Sequence, residues 1–200
     1  MVPLIDLSRR MQANKEAFAL AVQQVMDSGN VLLGAQTTQF EKAFALFAGT
    51  QYGVAVSSGA AALQLSLAAL GIGEGDEVIV PAMTAVPTAS AVCAVGARPI
   101  IVDVEEETAT IDLDLVEAAM TERTRAVIAV HLYGRPVANL DRLMNLGVTV
   151  IEDCAQAHGA RINGHSVGSF GDVAAWSFCQ DKIITTGGEG GMVATNDADL

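Results

Sequence analysis

Short apolar runs alternate with helically spaced segments along almost the whole chain, and this alternation is what most narrows the fold. Residues 52–56, 77–80, 99–104, 126–131 and 148–152 read as strands, with 172–178 and 192–195 as two more. Between them, 16–27, 60–70, 82–95, 112–121 and 138–145 read as helices. A further helix is expected after a Thr37/Thr38 cap, with Phe40, Phe44 and Phe47 as its core stripe and Gly49 closing it. Short buried strands interleaved with helices predict an α/β domain with a largely parallel sheet. Ligands of such sheets sit beyond the carboxyl ends of the strands.

The composition agrees: 51% of the 200 residues are apolar and 17% charged, which suits a packed core rather than disorder. A net charge of −12 disfavours general nucleic-acid binding, so any phosphorylated small molecule has to be held by local donors. The most apolar region, 78–104, is broken by Pro81, Pro87, Gly96, Arg98 and Pro99, and reads as core rather than a membrane span. Residues 1–12 carry Asp6, Arg9 and Arg10 and no apolar core, so no secretory signal is expected. Cys93, Cys154 and Cys179 are widely spaced, which favours reduced thiols in a cytoplasmic protein over a disulfide framework. Gly71-Ile72-Gly73 looks like part of a dinucleotide fingerprint. It follows a helix and opens a strand, the reverse of the order such a fingerprint needs, and is read as a turn.

Three predicted strand ends carry unusual polar residues. Ser57-Ser58-Gly59-Ala60-Ala61 stands between a strand and a helix, where it is either an ordinary N-cap or an anion cradle. Glu152-Asp153 ends a buried apolar strand, and a carboxylate there either needs a partner or caps the next segment of the chain. Cys154, His158 and His165 raise a metal site as an alternative, but no second Cys/His pair at ligand spacing accompanies them, so no metal is expected. Lys182 stands nearly alone among few cations, just ahead of Gly187-Gly188-Glu189-Gly190-Gly191. A crowded lysine can lose its proton and form an imine with a carbonyl. A phosphate cradle, a strand-end carboxylate and a lone lysine are together the parts that hold pyridoxal phosphate.

The chain resembles the DegT/DnrJ/EryC1/StrS family of pyridoxal-phosphate-dependent sugar aminotransferases. The resemblance runs from Pro3-Leu4-Ile5-Asp6-Leu7 through Val54-Ala55-Val56-Ser57-Ser58-Gly59 and Val130-His131-Leu132-Tyr133-Gly134. It is densest in Ile151-Glu152-Asp153-Cys154-Ala155-Gln156-Ala157-His158-Gly159-Ala160, in Ser177-Phe178 to Lys182, and in Gly188-Glu189-Gly190-Gly191-Met192. It implies the large domain of the type I aminotransferase fold, with a mixed, mostly parallel seven-stranded sheet over residues 1–200, and residues 1–35 packing on it. The family's C-terminal small domain is expected to be absent, and a truncated, non-catalytic remnant that binds pyridoxal phosphate or dimerises is the alternative reading. By resemblance, Lys182 joins the cofactor aldehyde and shuttles protons, and Asp153 pairs with the ring nitrogen. Gln156 lies beside the ring, while Ser177 and the Ser58-Gly59-Ala60-Ala61 turn hold the phosphate. The implied reaction moves an amino group from glutamate or glutamine to a keto-sugar nucleotide, in a cytoplasmic homodimer with no membrane partner. A dehydrating branch of the family carries His at the lysine position, so Lys182 favours transamination. Ala60 stands where Thr is usual, Ala85 stands where an aromatic often stacks on the ring, and 140–147 looks shortened.

Overall fold

The computed structural model describes residues 6–200, so Pro3-Leu4-Ile5 of the opening motif lies outside the described residues. Seven strands form one sheet: β1 (Tyr52–Val56), β2 (Glu77–Pro81), β3 (Arg98–Val102), β4 (Thr124–Val130), β5 (Thr149–Asp153), β8 (Val173–Ser177) and β9 (Gly191–Thr195). Their order is β1-β9-β8-β5-β4-β2-β3. Neighbours from β8 through β3 run parallel, and β9 runs antiparallel to both β1 and β8. The strands β6 (Arg161–Ile162) and β7 (His165–Ser166), not anticipated from the sequence, form a small separate hairpin. They are too short to show a period of two.

Helices cover both faces. On one face α4 (Gly59–Ala69) and α5 (Val86–Ala94) bury Leu63, Leu67, Ala91 and Val92 against Val80, Ile128, Val130 and Ile151. On the other face, α6 (Leu113–Ala119) and α7 (Leu140–Met144) bury Val116 and Leu143 against Ile79, Val127 and Val150. The helix α3 (Ala35–Ala48) seats Phe44 and Ala48 beside Trp176, Phe178 and Met192. Of its phenylalanine stripe, Phe44 is buried, Phe40 packs at the margin and Phe47 is exposed. Truncating a phenylalanine packed like Phe44 to alanine costs about 3–5 kcal/mol.

Several boundaries differ from the sequence reading. The cap of α3 is Gly34, not Thr37 or Thr38, which lie inside its first turns. The helix expected from Ala82 starts at Val86, because Pro87 fits the first turn of a helix and disfavours helix before it. Within 140–147 the chain forms α7 (Leu140–Met144), a helix of five residues. An unpredicted helix, α1 (Leu7–Ala13), precedes α2 (Lys15–Ser28), and neither contains a buried residue. They meet the sheet domain at one loop: the Arg10 guanidinium donates to the carbonyls of Lys182, at 2.5 Å, and Ile183, and Phe18 lies against Gly187. No helix among the described residues is long and apolar enough to cross a membrane.

Candidate active site

The carboxyl ends of β4, β5 and β8 and the turn from β1 into α4 surround one cavity of about 310 Å³. Ser58, Gly59, Ala60, Asp153, Gln156, Ser177 and Lys182 all border it. Of the residues expected to hold the cofactor, Ala61 alone does not. Its N–H is taken by Oγ of Ser58 at 3.1 Å, the N-cap bond of α4. The N–H groups of Gly59 and Ala60, in the first turn, have no intrahelical partner and are the free donors at this helix end. Two glycines make the approach possible. A Cβ on Gly59 would lie 2.7 Å from Cβ of Ser177, and one on Gly191 would overlap the Ser58 carbonyl. The helix N-terminus is thereby pressed against the end of β8.

The two carboxylates that end β5 have separate tasks, because successive strand residues face opposite sides of the sheet. Glu152 is fully buried away from the cavity. Its Oε2 accepts from His131 Nε2 at 2.9 Å and from the Gly168 N–H at 2.7 Å. Its Oε1 accepts from the N–H groups of Phe170 at 2.8 Å and Gly171 at 2.7 Å. Burial pushes the Glu152 carboxyl up, but the His131 contact and the backbone donors Gly171 and Gly168 more than offset this, and the net shift is downward. The Val137 N–H donates to Nδ1 of His131 at 3.0 Å, so the ring's proton sits on Nε2 and points at Glu152.

Asp153 turns into the cavity. Its Oδ1 accepts from the Ala155 N–H at 3.1 Å, and its Oδ2 accepts from Oγ1 of Thr88 at 2.9 Å. Burial raises its pKa, against the lowering effects of those two donors. With one protein donor on each oxygen, the carboxylate keeps acceptor capacity for a cationic N–H. Lys182 lies across the cavity on the loop after β8, with Nζ 3.3 Å from Oδ2 of Asp181. Gln156 is fixed at its oxygen, which accepts from the Tyr133 N–H at 3.1 Å. Tyr133 holds a left-handed backbone at φ 55° and ψ 24°, a conformation that costs a non-glycine residue about 1–2 kcal/mol. Such strain clusters at functional sites.

The proposed metal trio does not assemble. His165 is exposed on the β6–β7 hairpin, while His158 is buried among Phe44, Trp176 and Phe178. Burial lowers the His158 pKa to about 4. Cys154 instead lies near His131 and Glu152, with ligand atoms within 4.8 Å of one another. Those atoms do not form a vacant ligand set: each Glu152 oxygen already accepts two hydrogen bonds, and burial holds the Cys154 thiol protonated.

Sequence reasoning missed Thr88 and its neighbour Thr84, whose hydroxyls lie 2.7 Å apart. Their signal was two threonines four residues apart in an otherwise apolar segment.

A helix N-terminus, a buried carboxylate and a lysine sharing one cavity at strand carboxyl ends define a cofactor-binding α/β protein whose donor set suits pyridoxal phosphate. The sequence model of the DegT/DnrJ/EryC1/StrS aminotransferase family matches residues 12–200, and the chain belongs to that family, whose members are pyridoxal-phosphate-dependent transferases. All of the chain aligns, at 44% identity, with 55% of a UDP-N-acetyl-3-dehydro-alpha-D-glucosamine 3-aminotransferase of Acidithiobacillus ferrooxidans. It aligns equally fully, at 45% identity, with 53% of a dTDP-3-amino-3,4,6-trideoxy-alpha-D-glucose transaminase of Streptomyces venezuelae. The solved structure of S. venezuelae DesV in complex with a ketimine intermediate superimposes with a TM-score of 0.96, over 99% of this chain and 54% of that one, at 45% identity. The chain spans about half the length of the curated relatives it matches.

Proposed function

We propose that the chain forms the pyridoxal-phosphate-binding large domain of an aminotransferase that moves an amino group from glutamate or glutamine to a keto-sugar nucleotide. The observation that carries this reading is the gathering of Lys182, Asp153, Gln156, Ser177 and the Ser58–Ala60 turn on one cavity. The names of the relatives, sugar-nucleotide aminotransferases at 44% and 45% identity, support the substrate class.

When bound, pyridoxal phosphate supplies an aldehyde that accepts and donates an amino group, and a ring that draws electrons from the reacting carbon. The residues divide the remaining work. The N–H groups of Gly59 and Ala60, with Oγ of Ser177, bind the phosphate at the positive end of α4. Ser58 supports them by capping the same helix through Ala61, so backbone donors replace the hydroxyl that Ala60 lacks. Asp153 holds a proton on the ring nitrogen by pairing with it as a carboxylate. Gln156, its oxygen fixed by Tyr133, presents its amide nitrogen beside the ring. Lys182 would hold the cofactor aldehyde at Nζ and, whenever Nζ is free, would serve as the base that takes and returns a proton there. Asp181 holds Nζ nearby in the interval. A second recess of about 370 Å³ shares Gln156, Asp181 and Lys182 with the first and offers room for donor and sugar.

The protein is proposed to act as a homodimer in the cytoplasm. The exposed side chains of Val31, Leu32, Leu33 and Val86 supply apolar surface for a subunit contact, and three free cysteines fit a reducing compartment. Purified protein mixed with pyridoxal phosphate should turn yellow, and borohydride should fix the cofactor covalently. Lys182→Ala should give no fixed adduct, as read by mass spectrometry. A wild-type protein that stays colourless overturns the reading. Loss of the yellow colour on adding glutamate distinguishes amino transfer from binding alone.

A further inference from the structure

Asp153 can pair with a ring nitrogen only while it is ionised and correctly turned, and its burial opposes the ionisation. A short chain of hydroxyls holds it. Oγ1 of Thr88 lies 2.9 Å from Oδ2 of Asp153, and Oγ1 of Thr84 lies 2.7 Å from Oγ1 of Thr88. The direction of this chain is fixed by chemistry. An ionised carboxylate only accepts, so Thr88 spends its single proton on Asp153. The Thr88 oxygen is then an acceptor, and Thr84 donates to it. Thr88 is wholly buried in the first turn of α5, whereas Thr84 stands ahead of that helix at the cavity wall. Each bond polarises the next, and a chain ending on a carboxylate is stronger than its members alone.

We infer that Thr88, backed by Thr84, is a positioning residue that keeps Asp153 ionised and aimed at the cofactor ring. This rests on the functional reading above. Among the described residues, titratable groups coupled to the Asp153 carboxylate include His131, at the end of β4, Lys182, on the loop after β8, and the neighbouring Cys154. From α5 the carboxylate accepts a hydrogen bond from the Thr88 hydroxyl. His131 gives its proton to Glu152, so it is not a direct donor to Asp153. Of the described side chains around Asp153, the Thr88 hydroxyl is therefore the one that donates to it.

The test uses cofactor affinity and its pH dependence, measured by absorbance and fluorescence without turnover. Thr88→Val keeps the shape and removes the hydroxyl. It should weaken pyridoxal phosphate binding roughly tenfold, the range for a hydrogen bond to a charged group. Without that donor the Asp153 carboxyl takes up its proton at higher pH, so the acid midpoint for cofactor loss should move up. Thr88→Ser should restore both quantities, and Thr84→Val should move both the same way by less. If Thr88→Val does not fold, Thr84→Val, at the cavity wall, carries the same readout. A Thr88→Val protein, or in its absence a Thr84→Val protein, with wild-type affinity and acid midpoint overturns the inference. So does a Thr88→Ser protein as impaired as Thr88→Val. Wild-type protein that never takes up the cofactor overturns the functional reading instead.

Discussion

Two carboxylates at opposite edges of the sheet, Glu77 at the start of β2 and Asp153 at the end of β5, are almost equally hidden, at 1% and 6% exposure. Their partners differ. Glu77 receives Arg98 at 2.5 Å, Arg123 at 2.8 Å and the Thr121 hydroxyl at 2.7 Å. Because β2 lies between β3 and β4, this one carboxylate joins the ends of three neighbouring strands. The bonds from Thr121, Arg98 and Arg123 hold its pKa down to about 2. Asp153 has one N–H and one hydroxyl, and burial drives its pKa the other way. A carboxylate whose acceptor sites are filled by guanidinium groups stabilises the fold. One left with spare sites, against a cavity, is poised for a ligand.

The sharpest way to break this contrast is to neutralise each group in turn. Asp153→Asn should lower pyridoxal phosphate affinity by about a hundredfold or more, as expected where a buried charge pair is cut. The same change should raise the melting temperature of the cofactor-free protein near neutral pH, because it removes an ionised group whose burial is under-compensated. Glu77→Gln should do the reverse: a clear fall in melting temperature by calorimetry, and cofactor affinity within twofold of wild type. If both substitutions lower stability alike, the two edges do not differ as argued.

Acid titration sharpens the point. The folded pKa of Glu77 lies below its ordinary 4.5, so its contribution is complete above that value and is lost as pH falls toward about 2. The folded pKa of Asp153 lies above its ordinary 3.8, so its ionisation opposes folding at neutral pH and acid removes that opposition. Denaturant melts of Glu77→Gln should therefore depend less on pH between about 4.5 and 2 than wild type does. The smallest effect is expected from Arg123→Ala. Arg98 and Thr121 still reach Glu77, so the melting temperature should fall less than in Glu77→Gln.

The sheet, most of its helices and the strand-end residues of the cavity were legible in the sequence, because strand-end motifs lie at the sites they build. Ser58, Asp153 and Lys182 each come after an apolar run. Parallel β5 and β8 bring the last two together, and the antiparallel β9 joins β1 beside β8. Helix starts were less legible. Thr37 and Thr38 are good caps by chemistry, yet the chain enters α3 through the extended backbone of Gly34. The division between Glu152 and Asp153 could not be read from adjacency. It is set by the register of β5 with β4 and β8, which turns one residue to the 168–171 loop and the next to the cavity. Thr88 was hidden for a similar reason, since its partner is 65 positions away along the chain.

The single reversed strand, β9, has an effect beyond topology. Ser177 and Gly191 are opposite each other at the last rung of the β8–β9 ladder, and Phe178 N–H meets the Gly190 carbonyl just beyond it, at 2.7 Å. The segment that bears Lys182 thus leaves and rejoins the scaffold at one point, like a drawer mounted on a single rail. The path of that segment can change without shifting β8 or β9. Such mounting lets position 182 be adjusted while the frame around it stays as it is.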